Sequence, residues 1–259
     1  MSKSPGPEIS IVIPAYNEEK RLPKSLLKIE QFFQGRTDYE VIVVIEKSKD
    51  QSVESCKKAV GSNPNFQIIA NEVHRGKGFA VKTGMPLARG SFVFFMDADL
   101  STPLDEINSF LFLFKRSNFE IIIGSRAEAQ SKIIQKQGLL RQNIGRVFNF
   151  LVQGIGVHGF KDTQCGFKAF RNWTVEPIFS RQTIDGFAFD IEILIIAELL
   201  GANVHSQAIK WINSADSKVN IFIAPFEMLR DLFIIRQRVK KTLLENPFIN
   251  FRKEIKKII

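Results

Sequence analysis

Cysteine is nearly missing from this chain: Cys56 and Cys165 are the only two in 259 residues, and neither belongs to a metal-ligand spacing. That count excludes a disulfide-stapled scaffold and a Cys-based zinc site, and it fits a reducing, cytosolic compartment. Long apolar runs are also missing. The best candidate, Phe189 to Leu200, carries Asp190, Glu192 and Glu198, so no segment is expected to cross a bilayer. The start, Met1 to Glu8, is polar and rich in Ser and Pro; no secretory signal is expected there, and residues 1–8 are expected to be a disordered tail. No Gly-x-Gly-x-x-Gly follows the first apolar run and no Walker A ending exists, which argues against a dinucleotide-binding unit and a P-loop. Internal repeats and low-complexity segments are absent as well.

What is present is an ordinary hydrophobic fraction of 44%, enough for one large α/β domain with a sizeable core. Phe is abundant, with 24 copies against 2 Tyr and 2 Trp, and the excess predicts greasy surface beyond the core. The net charge of +9 favours anionic partners. More than half of it lies between Phe222 and Ile259, where nine Lys or Arg face four Asp or Glu. The expected organisation is a catalytic domain over residues 9–220 and a basic, amphipathic helical extension over residues 221–259. Within the extension Phe222, Phe226, Leu229 and Phe233 are expected near one face, with Arg236, Arg238, Lys240 and Lys241 beyond. Such a helix suits either an anionic membrane surface or packing on the core. Nucleic acid is disfavoured, because no basic-aromatic reader motif is present.

Strands are predicted over Ile9–Ile13, Glu40–Ile45, Phe66–Ala70, Ser91–Met96 and Glu120–Ile123. Helices are predicted over Glu18–Phe33, Gln51–Val60, Phe79–Ala88 and Leu104–Lys115. The alternation implies a parallel or mostly parallel sheet flanked by helices. Beyond Arg126, residues Ala127 to Gly138 read as a polar, mobile loop. Leu139–Gln153, Phe189–Leu200 and Ile221–Leu244 read as helices, and Phe167–Phe170 and Asn203–Ile209 as strands.

Three places carry candidate chemistry. Asp97-Ala98-Asp99 follows the fourth strand, where open α/β sheets bind ligands, and strand alternation is expected to aim both carboxylates to one side. Paired carboxylates suit a hard divalent ion brought in with a diphosphate; a strand end with a helix cap is the competing explanation. Pro14-Ala15-Tyr16-Asn17-Glu18 offers Tyr16 for stacking on a base and Glu18 as an acceptor, or simply an Asn17 cap and a dipole-facing acid. Arg75-Gly76-Lys77-Gly78 joins flexible backbone to positive charge at a helix start, which suits an anion or is a plain turn with solvated bases.

Taken in order, Ile9 to Glu19, Arg75-Gly76-Lys77-Gly78, Met96 to Asp99 and Gly124-Ser125-Arg126 resemble the family 2 glycosyltransferases. Lys161 to Phe170 and Phe187 to Ile193 resemble the dolichyl-phosphate glucosyltransferase branch, close to the dolichyl-phosphate mannose synthases. The resemblance runs from about Ile9 to about Lys241. It implies an A-type glycosyltransferase fold and inverting hexosyl transfer from a nucleoside-diphosphate sugar to a polyprenyl or dolichyl phosphate. UDP-glucose is the favoured donor, and the enzyme is expected on the cytosolic face of a membrane, without an obligate protein partner. Carried over by position, Pro14, Tyr16, Glu18, Glu46, Lys77, Asp97, Ala98 and Asp99 line the donor nucleotide pocket. Asp97 and Asp99 hold Mg²⁺ or Mn²⁺ on the diphosphate, while Arg126, Arg141 and Lys168 contact donor or acceptor phosphate. Asp162 and Gln164 lie near the transferred sugar, and Asp190 approaches from its helix. An acceptor phosphate is already ionised near neutral pH and needs no strong base, so Asp162 and Asp190 are expected to orient.

One stretch departs from the family. Where Asp-Asp-Gly-Ser is usual, this chain has Ile45-Glu46-Lys47-Ser48. Ile45 cannot accept a hydrogen bond, and without the Gly an easy positive-φ position is lost. Base choice therefore stays open between uridine and guanosine. Three alternatives stay open with it: mannosyl transfer from GDP-mannose, a saccharide acceptor, and a nucleotide-sugar binding protein whose catalysis has decayed.

Overall fold

The structure is a computed structural model that describes residues 6–135, 160–212 and 224–245. Four strand-helix units and a fifth strand open the chain: β1 (Ile9–Ala15), α1 (Leu22–Phe32), β2 (Tyr39–Ile45), α2 (Ser52–Val60), β3 (Phe66–Ala70), α3 (Lys77–Gly84), β4 (Phe92–Met96), α4 (Glu106–Arg116) and β5 (Ile121–Ser125). A short ribbon strand, β6 (Lys132–Gln135), follows. Then come β7 (Phe167–Arg171), α5 (Asn172–Phe179), α6 (Phe189–Leu199), β8 (Val204–Ala208), β9 (Lys210–Ile212) and α7 (Ala224–Glu245). The main sheet has seven strands in the order β3-β2-β1-β4-β7-β5-β8. It is parallel except at β7, which runs antiparallel to both β4 and β5.

Both sheet faces are covered, as nearly continuous apolar strands require. On β1, Ile9, Ile11 and Ile13 join the core under α1, α2 and α4, while Val12 joins the core under α3, α5, α6 and α7. β4 divides the same way, with Phe92, Phe94 and Met96 on the first side and Val93 and Phe95 on the second. Among the described residues, most of the Phe fills these layers instead of the surface. Phe33, Phe94, Phe110, Phe114 and Phe167 are buried on one side and Phe95, Phe170, Phe179 and Phe189 on the other. Phe112 and Phe233 are exceptions that face solvent.

Several expectations need correction. The supposed loop after Arg126 contains β6, which pairs in parallel with β9. Neither strand was predicted: each is too short to show alternation. α5 was missed too, because it is one short helix with Pro177 inside it. α7 rests on the core through Met228, Leu232 and Ile235, whereas Leu229 and Phe233 point outward. Of the two alternatives for the face that carries Leu229 and Phe233, packing on the core is the one the structure does not show. Phe222, Arg141 and the predicted helix Leu139–Gln153 lie outside the described residues. Among the described residues, no helix is long and apolar enough to cross a membrane.

Cys56 and Cys165 are both free and buried, and burial pushes each thiol up to about 12. A thiol reagent should therefore modify neither residue in the folded protein at mildly alkaline pH, and both after denaturation. Rapid labelling of native protein, counted by intact mass, would show one of these sites to be open.

Candidate active site

The C-terminal ends of β1, β2 and β4 converge with the segments that enter β7 and α6. β4 stops at Met96, so Asp97 to Leu100 form a turn in which the Leu100 N–H donates to the Asp97 carbonyl at 3.2 Å. This turn, not strand alternation, places the two carboxylates. Leu100 adopts φ +50°, a left-handed conformation that costs a non-glycine residue about 1 kcal/mol. The Ser101 N–H donates to Asp99 Oδ1 at 2.9 Å and closes the turn.

Asp97 is fixed from two sides. Its N–H donates to the Gly166 carbonyl at 3.0 Å, and its Oδ1 lies 2.7 Å from Lys77 Nζ. A Cβ on Gly166 would lie 1.8 Å from Asp97 Oδ2, so glycine is what gives this carboxylate its room. Lys77 starts α3, directly after Gly76 at φ +127°. Its ammonium stands over the rings of Phe95 and Phe189 at 5.0 and 5.9 Å. Burial works against that charge, but Asp97, Asp190 and Asp99 outweigh it, and the Lys77 pKa is raised. The ammonium stays charged at neutral pH.

Asp99 faces Arg21, whose Nη1 is 3.8 Å from Asp99 Oδ2. Arg21 in turn is gripped by Glu18, with Nε 2.8 Å from Oε2. Glu18 is buried, and its own N–H donates to Ser52 Oγ at 2.7 Å. This ion pair steadies Arg21 beside Asp99. Pro14 lies within β1, and the Ala98 carbonyl accepts from Ser25 Oγ at 2.7 Å. Tyr16 is stacked on His74 with centroids 3.8 Å apart.

Arg126 and Asp162 form a two-pronged pair, Nε to Oδ2 at 2.7 Å and Nη2 to Oδ1 at 2.8 Å, with the Arg126 N–H also on Oδ2 at 2.9 Å. Burial penalises Asp162, yet Arg126 overcomes this and lowers its pKa. The pair therefore stabilises the fold above the ordinary carboxylate range, and that stability is lost as pH falls through the lowered value. Gln164 hangs on the same group, its N–H 3.3 Å from Asp162 Oδ1, and its side-chain amide reaches Met228 Sδ at 3.8 Å.

Lys168 requires a correction. It is fully buried on β7, its ammonium paired with Asp190 and donating to the Cys165 carbonyl at 2.7 Å. It is an internal counter-ion and does not present itself to an acceptor phosphate. Burial raises the Asp190 pKa, with Lys168 and Lys77 pulling the other way. Lys168→Met should cost about 3–5 kcal/mol, because it strands Asp190 without a partner. Adding Asp190→Leu should recover most of that stability in a denaturant titration. A single variant as stable as wild type would show that the pair contributes nothing.

A metal would find hard oxygen donors in Asp97 and Asp99, and the cradle at Gly166 leaves the first of them space. Among the described residues no cluster of three or more His, Cys, Asp or Glu could hold an ion alone. The donor set fits Mg²⁺ or Mn²⁺, which commonly takes one or two carboxylates together with substrate phosphates and water. Sequence reasoning missed Arg21 and Gly166, since each acts on a carboxylate far from it along the chain.

Comparison with known proteins agrees with this geometry. A family profile described as Glycosyl transferase family 2 matches residues 10–174. The human dolichyl-phosphate beta-glucosyltransferase is 34% identical over 253 residues, covering 91% of this chain and 76% of that protein. The Drosophila melanogaster dolichyl-phosphate beta-glucosyltransferase is 35% identical over 251 residues, covering 91% and 76%. Among solved structures, glucosyl-3-phosphoglycerate synthase from Mycobacterium tuberculosis with uridine diphosphate superposes with a TM-score of 0.65 at 17% identity, over 90% of this chain and 81% of that one. The fold is the A-type glycosyltransferase fold, and the chain belongs to the family 2 glycosyltransferases.

Proposed function

We propose that this enzyme transfers glucose, with inversion, from UDP-glucose to the phosphate of a dolichyl or polyprenyl phosphate, acting as a peripheral protein on the cytosolic face of a membrane. The observation that carries it is the Asp97-to-Leu100 turn seated against Gly166 with Lys77 on Asp97. It puts two hard acceptors and one partly buried cation at the C-terminal ends of the central strands, the side on which open α/β sheets bind ligands. The relatives named dolichyl-phosphate beta-glucosyltransferase supply the acceptor class and the sugar.

An oxygen of the acceptor phosphate attacks the anomeric carbon as the bond from that carbon to the donor's β-phosphate oxygen breaks, and the nucleoside diphosphate leaves. Asp97 and Asp99 would hold a divalent ion, which would supply charge neutralisation for the leaving diphosphate. Lys77 adds a fixed positive charge beside it, preorganised by Asp97 and the rings of Phe95 and Phe189. Arg126, held by Asp162, meets phosphate with its orientation already set. Gln164 orients the sugar, Asp190 acts only from behind it by holding Lys168, and the acceptor's own charge removes the need for a strong base.

Metal-dependent donor binding tests this reading. UDP-glucose should raise the melting temperature of the purified chain clearly with Mn²⁺ and much less without it, since a ligand of the folded state stabilises it. If no UDP- or GDP-sugar shifts melting, with or without metal, the reading fails.

A further inference from the structure

β2 ends on Ile45, fully buried, and passes into Glu46, which the family resemblance places in the donor nucleotide pocket. Glu46 is 2% exposed, and its carboxylate is engaged inward. Oε1 accepts from Asn71 Nδ2 at 2.8 Å. Oε2 accepts from the N–H groups of Arg75 at 2.6 Å and Gly76 at 3.0 Å, with His74 Nδ1 at 3.3 Å. Oε2 is filled by the two backbone donors and Oε1 holds Asn71, and at 2% exposure the group is turned away from the solvent a base would arrive from.

The neighbouring loops spend their polar groups on each other. The Asn17 N–H donates to Ser48 Oγ at 3.0 Å, the Lys49 N–H to Asn17 Oδ1 at 2.7 Å, and the Glu19 N–H to Asp50 Oδ2 at 3.1 Å. What this place offers to solvent is an aromatic face flanked by the exposed Lys47, Lys49 and Arg75. The His74 ring lies parallel to Tyr16, 7° between planes, and its side chain is 44% exposed.

We propose that the donor's nucleobase is held by stacking on the Tyr16–His74 pair, with no side-chain carboxylate selecting it, so the site takes nucleoside diphosphates with little regard to the base. This rests on the nucleotide-sugar reading above. Glu46 is then a positioning residue. It clamps the Arg75-Gly76 turn from which Lys77 enters α3 and reaches Asp97, and it fixes the His74 ring. Stacking tolerates any base because every base has a π-face.

Calorimetric titration of the full chain with UDP, CDP and GDP in Mg²⁺ tests the proposal. Uracil presents an N–H where cytosine presents a lone pair, and a carboxylate reading that position favours UDP by about tenfold to a hundredfold. The structure predicts UDP and CDP affinities within about tenfold of each other, and a larger UDP preference overturns the proposal. Glu46→Gln should weaken UDP and CDP by a common factor, leaving their ratio unchanged; a changed ratio would make Glu46 a base reader. His74→Ala should weaken all three nucleotides alike, by about tenfold or more, and unaltered affinity contradicts the stacking role. Binding of none of the three to folded wild-type protein removes the nucleotide-sugar reading itself. A strong UDP preference with transfer intact removes only the inference about the base.

Discussion

Asp99→Ala should lower turnover about a thousandfold, equivalent to about 4 kcal/mol of transition-state stabilisation, while leaving the fold intact. Asp99 contributes one hydrogen bond to its own turn, from the Ser101 N–H at 2.9 Å, and a long ion pair to Arg21 at 3.8 Å. Neither is large in stability terms. Its proposed value lies in the charge it places on the metal side of the diphosphate. Asp99→Asn separates the two contributions: the amide oxygen keeps the Ser101 bond and the shape of the turn, and only the negative charge goes. Steady-state rates and melting curves for both variants check this. The asparagine form should be as inactive as the alanine form and no less stable than it. An active Asp99→Asn enzyme would mean that the residue merely caps a turn.

Gly166→Ala should reduce kcat by about a hundredfold or more, with a stability loss of only about 1–3 kcal/mol. Its backbone is not among the positive-φ glycines, so alanine meets no conformational penalty there. What the new methyl group meets is Asp97, with Oδ2 at 1.8 Å and Cγ at 2.2 Å. The carboxylate must swing away, which also separates it from Lys77 Nζ, now 2.7 Å from Oδ1. A flexible side chain moves more cheaply than backbone, so the fold survives and the site does not. Kinetics alongside denaturant unfolding distinguish the two effects. Wild-type kcat in a folded Gly166→Ala protein would show that Asp97 needs no fixed position.

These two residues also show what the sequence could and could not reveal. β1, β2 and β4 were legible because each is an apolar run bounded by turn residues, and Asp97 and Asp99 because they follow such a run. Gly166 carried no local signal: its significance is an approach between two neighbouring strands, β4 and the entry to β7, distant along the chain. Lys168 misled for the same reason. A lysine in an apolar strand reads as functional until its partner is seen, and Asp190 reaches it from another element. Glu46 stood where a base-reading acid was expected, but its hydrogen bonds go to a turn around Arg75 that no pattern links to it. Short elements failed differently. β6 and β9 exist because they pair with each other, and pairing leaves no periodicity in three or four residues.

The central claim is the identity of the acceptor. Purified full-length chain should be incubated with tritiated UDP-glucose, Mg²⁺ and either dolichyl phosphate in detergent or a panel of soluble saccharides, followed by partition into organic solvent. The account predicts label in the organic phase as a glucosyl phospholipid, formed only with the lipid phosphate and lost in Asp99→Ala. Label transferred to a saccharide, with none in the lipid, would contradict it.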